Sequence, residues 1–500
     1  MTSLPASRLL SPALRILLGI GLSLLSAGML LYSQPPYGIW PLAFLGFVPV
    51  LLAQHRILPP RLSSLAQAIA VGLFLGTLIP QIFGSFASGI WFIRWLFLLV
   101  GAIVFFSEMG TRTMNQETGY RWFVLEGALV WVGIEMIRNL IPFLGTGGFI
   151  GYAYYRSPWL IQPLSIFGIF GLNLLTLLLG YALGLGVLAW YDRVAARRGW
   201  LDSGTRPVDP GLALRWVAGA GLGAVAWILL SLFLWVSFRP GETIRAAAIH
   251  PNAPYAFNLL KQLSANAADA GAQLIIWPEG SIDFNPQGPR QSEVQGLARE
   301  TGAYLAIGYS VVAPGGNRNE AVVVSPEGEF LGVYGKDHPV VFLGEQSANR
   351  GLYPVFQTTL GTLGTIICHD LNYNDTIRKI ARGGARFIAV PSNDWPELTY
   401  RQQAYLVYRA VETRTAVMKA DTRYDSFAVN ARGEMIAGQF NPQGKRGILV
   451  ADVPLGSADA PQLVMGDWLG WLSLAGMAFF VLPNPLLKQS GASRRSQLPV

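Results

Sequence analysis

The chain has 500 residues, of which 52% are hydrophobic and only 13% are charged. Soluble domains carry about twice that share of charged residues, so the composition indicates a membrane protein. The net charge is +8, but the basic residues lie in short loops between apolar runs and form no tract with interleaved aromatic residues. This distribution is typical of membrane orientation and argues against a nucleic-acid partner.

Apolar runs fill the first half of the chain and recur near its end. Because a span needs about 20 mostly apolar residues, we predict about eight spans, near residues 13–32, 38–54, 62–82, 90–107, 122–141, 159–190, 213–238 and 467–484. A cleaved signal peptide is the alternative for residues 1–30, but further spans follow at once, which favours a retained first helix.

The loops between these runs are alternately rich and poor in arginine. Basic residues precede the first span and follow the second, fourth and sixth, whereas the other loops carry few or none. Since basic loops stay in the cytoplasm, the pattern predicts a transmembrane bundle of about seven spans at 1–241 and an extracytoplasmic domain at 242–455. It also predicts a C-terminal transmembrane helix with a cytoplasmic tail at 456–500.

The central, less apolar part alternates strand-like and helix-like segments. The predicted strands are continuous apolar runs at 244–249, 273–277, 303–312, 321–324, 364–368 and 387–390, with helices at 259–270 and 401–414. Runs of this kind are expected when both faces of a sheet are covered. The order of elements predicts an α/β domain.

Three segments of this domain end in reactive groups. Glu279 follows a buried run that closes with Pro278, Lys336 lies in a short loop, and Cys368 ends another apolar run. Each has a structural alternative: a helix-capping glutamate, a solvated lysine, or a cysteine that packs as a small hydrophobe. Together they fit acyl transfer, which needs a thiolate, a base to form it and a cation to stabilise the oxyanion.

Metal chemistry and a cysteine–histidine pair are less well supported. Cys368 is the only cysteine, so an internal disulfide and a multi-cysteine metal site are excluded. The four histidines show no metal-ligand spacing. His369 directly follows Cys368 on or beside a strand, so its side chain should point the other way. We therefore expect no metal centre.

The order of these residues resembles the nitrilase, or carbon–nitrogen hydrolase, superfamily. The segments Trp277-Pro278-Glu279 and Lys336-Asp337-His338, together with Cys368, match its three signatures. The resemblance implies that Glu279 is the base, Lys336 the oxyanion stabiliser and Cys368 the nucleophile. It also implies that Glu345 holds the lysine and that the fold is an αββα sandwich.

Spans before such a domain and one span after it resemble the apolipoprotein N-acyltransferase family over nearly the whole chain. The supporting residues are Trp131, Glu135, Arg138, Gly145-Thr146-Gly147, Gln162, Gly168, Gly171, Arg409-Ala410-Val411-Glu412 and Gly466-Asp467-Trp468. The resemblance implies a bacterial inner-membrane enzyme without a cofactor. A phospholipid would acylate Cys368 as a thioester, and a diacylated lipoprotein would accept the chain on its N-terminal amine.

Four further residues are predicted to contact substrate: Trp277, His369, Asp370 and Trp395. The chain also departs from the family pattern. His369 and Asp370 replace the usual Tyr and Glu, and the family's late Asn and Gly are replaced near Thr422 and Tyr424. The segment between Glu345 and Cys368 is short, which keeps a membrane-anchored amidase or acyltransferase with another acceptor as the alternative function.

Glu135 and Arg138 lie three residues apart on one predicted helix face near the outer end of span five. Two interpretations are open. The pair neutralises itself, or it contacts a lipid headgroup or the domain above, as intramembrane charges often do. A degenerate, non-catalytic domain is a further alternative to an enzyme.

Overall fold

The structure is a computed structural model, and it describes residues 11–83, 93, 95–202, 204–349, 351–439 and 445–482. Arg8, the predicted arginine-free loop at 84–89 and the basic tail after residue 482 lie outside these ranges. The predicted boundaries at residues 241 and 455 remain predictions, although the first strand begins at Thr243 and the last ends at Pro454.

The N-terminal half is helical, because only structures that satisfy their own backbone hydrogen bonds are stable in lipid. Its helices are α1 (Pro12–Ser33), α2 (Pro41–Leu45), α3 (Phe47–Leu52), α4 (Ser64–Phe83), α5 (Leu96–Ser107), α6 (Thr111–Glu117), α7 (Phe123–Asn139), α8 (Leu164–Arg197) and α9 (Pro210–Ser237). A short helix α14 (Gln462–Met465) and the apolar helix α15 (Trp468–Val481) follow the α/β domain, which carries the three candidate reactive residues and is called the catalytic domain below.

The predicted helical membrane bundle is confirmed, but some of its helices are shorter than the predicted spans. Five helical stretches are long and apolar enough to cross a membrane: Pro12–Ser33, Pro60–Gln81, Leu96–Glu117, Leu164–Arg197 and Pro210–Ser237. The predicted spans at 38–54, 122–141 and 467–484 are shorter helices, and α7 has 17 residues. The predicted 122–141 window was too long because the chain leaves α7 after Asn139 and turns towards the catalytic domain.

A kink in α8 divides the long predicted run at 159–190. Gly168 adopts φ +61° within this helix, a backbone conformation that side chains disfavour. The kink frees the backbone N–H of Ile169, which donates to the Glu412 carboxylate at 2.9 Å. A membrane helix is thereby held by the catalytic domain.

The catalytic domain contains one sheet of seven strands and one sheet of six strands. The first has the order β13-β1-β2-β3-β4-β5, with β6 beside β4, and the second has the order β12-β11-β10-β9-β8-β7. The strands are β1 (Thr243–His250), β2 (Leu274–Ile282), β3 (Tyr304–Ala313), β4 (Gly316–Val324), β5 (Phe330–Gly335), β6 (Glu345–Gln346), β7 (Val355–Thr358), β8 (Gly361–Thr365), β9 (Phe387–Ser392), β10 (Ala416–Asp421), β11 (Ser426–Val429), β12 (Met435–Gln439) and β13 (Gly447–Pro454).

Two pairs of helices cover the outer faces of the sheets and complete the αββα sandwich. Helices α10 (Phe257–Asp269) and α11 (Gln291–Thr301) bury apolar side chains against the first sheet. Apolar residues of both sheets form a separate core between them. Helices α12 (Asn374–Arg382) and α13 (Thr399–Thr413) cover the second sheet and share one continuous core with the membrane bundle.

The bundle and the catalytic domain are joined by buried polar contacts. The loop after α7 places Thr146 against the Asn372 carbonyl, with the backbone N–H at 2.9 Å and the hydroxyl at 2.7 Å. Arg409 on α13 pairs with Glu412 and donates to the Tyr152 hydroxyl at 2.6 Å. Residues that carried the family resemblance in the two halves therefore meet at this interface.

We predict that Gly145→Ala loosens this interface. Gly145 has φ +49°, and an added Cβ would lie 2.6 Å from the Asn372 carbonyl oxygen. The backbone strain and the clash should together lower the free energy of unfolding by about 1–3 kcal/mol. Gly199→Ala is the control, because Gly199 also has positive φ (+68°) but nothing within 4 Å. Equal thermal unfolding midpoints of the two variants in detergent would contradict the prediction.

Candidate active site

The reactive residues converge because they follow strands that end at one edge of the two sheets. Lys336 comes directly after β5, and Cys368 lies three residues beyond β8. The interpretation of β2 needs correction. The strand does not end at Pro278 but continues to Ile282, with a register shift between Trp277 and Ile282. Glu279 lies in this bulge, which turns a side chain out of the regular ladder.

Lys336 is buried between two carboxylates. Its Nζ lies 2.7 Å from Glu279 Oε1 and 2.8 Å from Glu345 Oε2, and only 1% of its side chain is exposed. Asn319 on β4 donates to both glutamates, at 2.6 Å and 3.0 Å. The backbone N–H of Val340 also donates to Glu345, at 2.8 Å. These bonds compensate the burial of three charges.

Their surroundings shift the pKa values of Glu279 and Glu345 in opposite directions. Burial raises the pKa of Glu279, and the negative charge of Glu345 adds to the rise, although Lys336 opposes it. Burial also acts to raise the pKa of Glu345, but the Lys336 charge and its hydrogen bonds lower it overall. Such a split makes Glu279 the better proton acceptor of the two and favours the charged form of Glu345.

Cys368 opens a short 3₁₀ turn with φ +40°, a conformation that is strained for a residue with a side chain. Its thiol donates to Asp394 Oδ1 at 3.6 Å and also interacts with the Glu279 carboxylate. Burial raises the pKa of the thiol, and the negative charges of Glu279 and Asp394 raise it further. The resting group is therefore a neutral thiol that needs a base at the moment of reaction.

A second cluster of buried, ion-paired side chains lies beside the thiol, and it was not predicted from the sequence. Lys419 on β10 pairs with Asp394 and lies 3.4 Å from Asp421 Oδ2, and all three side chains are fully buried. Burial and the opposing charge of Lys419 compete, and the pKa of Asp394 is raised to about 7. A lysine in an otherwise apolar strand was the signal that could have revealed this group.

Two of the residues predicted to contact substrate hold elements of the site together, and their contact with substrate remains a prediction. Trp277 has no exposed surface and donates to the Ser264 hydroxyl on α10, so it anchors the strand that carries Glu279. Asp370 is equally buried. It accepts from the Tyr334 hydroxyl at 2.7 Å and from the backbone N–H of His338 at 2.8 Å. Asp370 therefore links the turn of the nucleophile to the loop of the lysine.

The other two residues lie nearer to the membrane bundle. His369 Nδ1 is 3.0 Å from the Asn372 amide, and its ring packs edge-on against Tyr373. Burial lowers the pKa of His369 to about 3, and the charges of Lys336 and His338 act in the same direction, so the ring is neutral. The Trp395 indole N–H points to the Gln81 carbonyl at 3.4 Å, at the end of α4. A contact between either residue and substrate remains a prediction.

One group of side chains has the composition of a metal site. Asp337, His338 and Asp375 bring potential ligand atoms together. The Lys379 ammonium lies 2.7 Å from Asp375, however, and 4.0 Å from Asp337. A cation of the chain itself already neutralises these carboxylates.

Comparisons with known proteins cover both halves of the chain. The family model described as carbon-nitrogen hydrolase matches residues 243–460, and the one described as apolipoprotein N-acyltransferase N-terminal domain matches residues 26–182. An apolipoprotein N-acyltransferase of Geobacter metallireducens is 26% identical, over 91% of this chain and 93% of that protein. One of Thermotoga maritima is 24% identical, over 90% and 87%.

A solved amidase of a Nesterenkonia species is 22% identical, with a TM-score of 0.40, over 46% of this chain and 98% of that one. The αββα domain and the apolar helices define a membrane-bound carbon–nitrogen hydrolase. Since both halves match in the order found in full-length relatives, the chain belongs to the apolipoprotein N-acyltransferase family. It is accordingly a multi-pass bacterial membrane protein.

We predict that Lys419→Met destabilises the protein strongly. The change leaves Asp394 and Asp421 buried without their cation, which should lower the free energy of unfolding by about 3–5 kcal/mol. Lys261→Met is the control, because Lys261 is exposed and its ion pair with Glu293 spans 3.7 Å. Thermal unfolding in detergent measures the difference. Unchanged midpoints in both variants would show that the buried ion group contributes no net stability.

Proposed function

We propose that the protein transfers an acyl chain from a phospholipid to the N-terminal amine of a diacylglyceryl-cysteine lipoprotein. The observation that carries this proposal is the buried Lys336 held between Glu279 and Glu345 beside the Cys368 thiol, in a domain whose core continues into a membrane bundle. The relatives that match about nine tenths of the chain are apolipoprotein N-acyltransferases, which supports this substrate class.

The first half-reaction acylates the enzyme. Glu279 takes the thiol proton, and the sulfur of Cys368 attacks the ester carbonyl of the lipid. Lys336 stabilises the negative oxygen of the tetrahedral intermediate, as a positioned cation does in such sites. The C–O bond then breaks, and Glu279 returns its proton to the leaving glycerol oxygen. The product is a thioester on Cys368.

The second half-reaction uses the same groups in the same order. The neutral α-amine of the acceptor attacks the thioester carbonyl, and Lys336 again stabilises the oxyanion. The C–S bond breaks, Glu279 accepts a proton from the amine, and the proton returns to the sulfur. Two half-reactions at one thiol require ping-pong kinetics.

The proposal includes an orientation. The catalytic domain lies outside the cytoplasm, because the first, third and fifth connections of the bundle are poor in basic residues. The ends of α4 and α7 that face the catalytic domain then lie at the outer surface of the inner membrane. Both lipid substrates would reach Cys368 there.

The test is an acyl-transfer assay with purified protein, phosphatidylethanolamine and a synthetic diacylated lipopeptide. We expect the peptide to gain the mass of one acyl chain on its amine, and we expect Cys368→Ala to abolish the gain. Mass spectrometry of the intact enzyme reports the thioester separately. A thioester without peptide acylation would favour the alternative, a membrane-anchored amidase or acyltransferase with another acceptor, which the short segment between Glu345 and Cys368 motivates.

A pH profile tests the role of Glu279. The base works only when ionised, so the rate of thioester formation should fall as pH decreases through the pKa of Glu279. Because burial and Glu345 raise this pKa, the fall should begin above the ordinary glutamate value of about 4.5. Glu345→Gln removes the nearby negative charge and should move the remaining activity's acidic limb to lower pH. An acidic limb that stays at the same pH in the Glu345→Gln variant would show that Glu279 is not the general base.

A further inference from the structure

Two buried arginines at the interface between the bundle and the catalytic domain form no ion pair with an acidic side chain. Arg138 at the end of α7 is 8% exposed, and Arg401 in the first turn of α13 is 5% exposed. All Asp and Glu residues of the chain lie in its described part, and none forms an ion pair with either arginine. An unpaired charge in such a position is costly, so it usually marks a ligand or a functional contact.

Of the two interpretations of Glu135 and Arg138, a self-neutralising pair is met only in part: the two side chains form no ion pair, although their charges act on each other. Glu135 accepts instead from the Ile150 N–H at 3.0 Å and from the Asn173 amide at 2.6 Å. Its hydrogen bonds thus fix the loop after α7 and an adjacent helix. Arg138 donates to the Gly147 carbonyl, and its Nε has no partner among the described residues.

The Arg138 and Arg401 guanidinium groups both lie near the C-terminal part of α4, and the charge of Arg401 acts on Arg138. A methyl group on Gly148 would lie 3.5 Å from both Arg138 Nη2 and Leu78, so Arg138 reaches this part of the helix. Arg401 donates to the Gln81 side chain at 2.7 Å, and its Nε also has no described partner. Leu78 and Gln81 are three residues apart and therefore share one face of the helix.

The side chains around this point add donors. The charges of Arg401 and Arg138 both act on the Tyr405 hydroxyl, one turn further along α13. The Gln402 amide is fully buried, and neither its oxygen nor its nitrogen has a described partner. The remaining nearby arginine, Arg409, is already paired with Glu412. The spot therefore combines net positive charge with unused hydrogen-bonding groups.

This spot lies next to the catalytic centre. Gln81, which accepts from Arg401 through its side chain, accepts from Trp395 through its backbone carbonyl. Trp395 follows Asp394, the hydrogen-bond partner of Cys368. A ligand held by the two arginines would lie on the membrane side of the thiol.

We propose that Arg138 and Arg401 bind the phosphodiester of the phospholipid acyl donor and so hold its ester towards Cys368. Guanidinium groups match phosphate oxygens in charge and geometry. The position between an apolar bundle and the catalytic domain favours a phosphate that carries acyl chains. The lipoprotein acceptor brings an amine instead of a phosphate, so the arginines would serve the donor half-reaction. This inference rests on the proposed function.

The experiment compares thioester formation on Cys368 from phosphatidylethanolamine and from a diacylglycerol with the same acyl chains. The wild type should prefer the phospholipid, and Arg401→Gln should lower the ratio of the two rates by about 10- to 100-fold, the loss of one charged hydrogen-bonding group. Arg138→Gln should act in the same direction, and Arg401→Lys, which keeps the charge, should recover part of the preference. Arg245→Gln, an exposed arginine on the first sheet, is the control.

The outcomes separate this inference from the proposed function. Absence of a thioester from either lipid in the folded wild type would reject the proposed function itself. Thioester formation from both lipids, with a rate ratio that Arg401→Gln leaves unchanged, would overturn only the phosphate site. Stabilisation of the wild type by inorganic phosphate, without any preference between the lipids, would assign the site to the free ion and also overturn the proposal.

Discussion

The candidate site depends on burying one ammonium group between two carboxylates. A buried charge is tolerated only when partners and hydrogen bonds replace its water, and Lys336 has both through Glu279 and Glu345. Lys336 follows β5, whereas Glu279 comes from β2 and Glu345 from β6. Both the sheet order and the bulge in β2 are therefore needed to bring the three side chains together. The same arrangement raises the pKa of one carboxyl and lowers that of the other, so the requirement for stability also creates a base.

A second constraint joins this domain to the membrane. Helix α13 contributes Arg409 and Glu412, which contact the loop after α7 and the kinked start of α8. The apolar side of α12 and α13 packs into the same core as the bundle. One helical layer of the αββα sandwich is thereby covered by membrane helices. The thiol consequently lies close to the bilayer without being part of a span.

The sequence predicted the elements that have strong local signals. Apolar length identified the bundle, and continuous apolar runs identified most parallel strands, because these patterns are physical requirements of burial. Glu279 and Cys368 were singled out because each follows such a run, whereas Lys336 was singled out by its loop and by the resemblance to the nitrilase superfamily. The bulge at Glu279, the turn of Cys368 and the Lys419–Asp394 pair were not predictable in this way. They depend on neighbours that are distant in sequence, and a period-based prediction contains no information about those neighbours.

The two groups of buried charge on either side of the thiol have opposite balance. The catalytic group contains Glu279, Glu345 and Lys336, so its carboxylates outnumber its cation. The interface group contains Arg138 and Arg401, which form no ion pair, and Glu135 is the acidic side chain whose charge acts on Arg138. A phosphodiester bound there would offset one of the two positive charges, while Glu279 and Glu345 would still disfavour an anion at the thiol itself. Charge alone would thus orient a phospholipid with its headgroup at the interface and its ester, which is uncharged, towards Cys368.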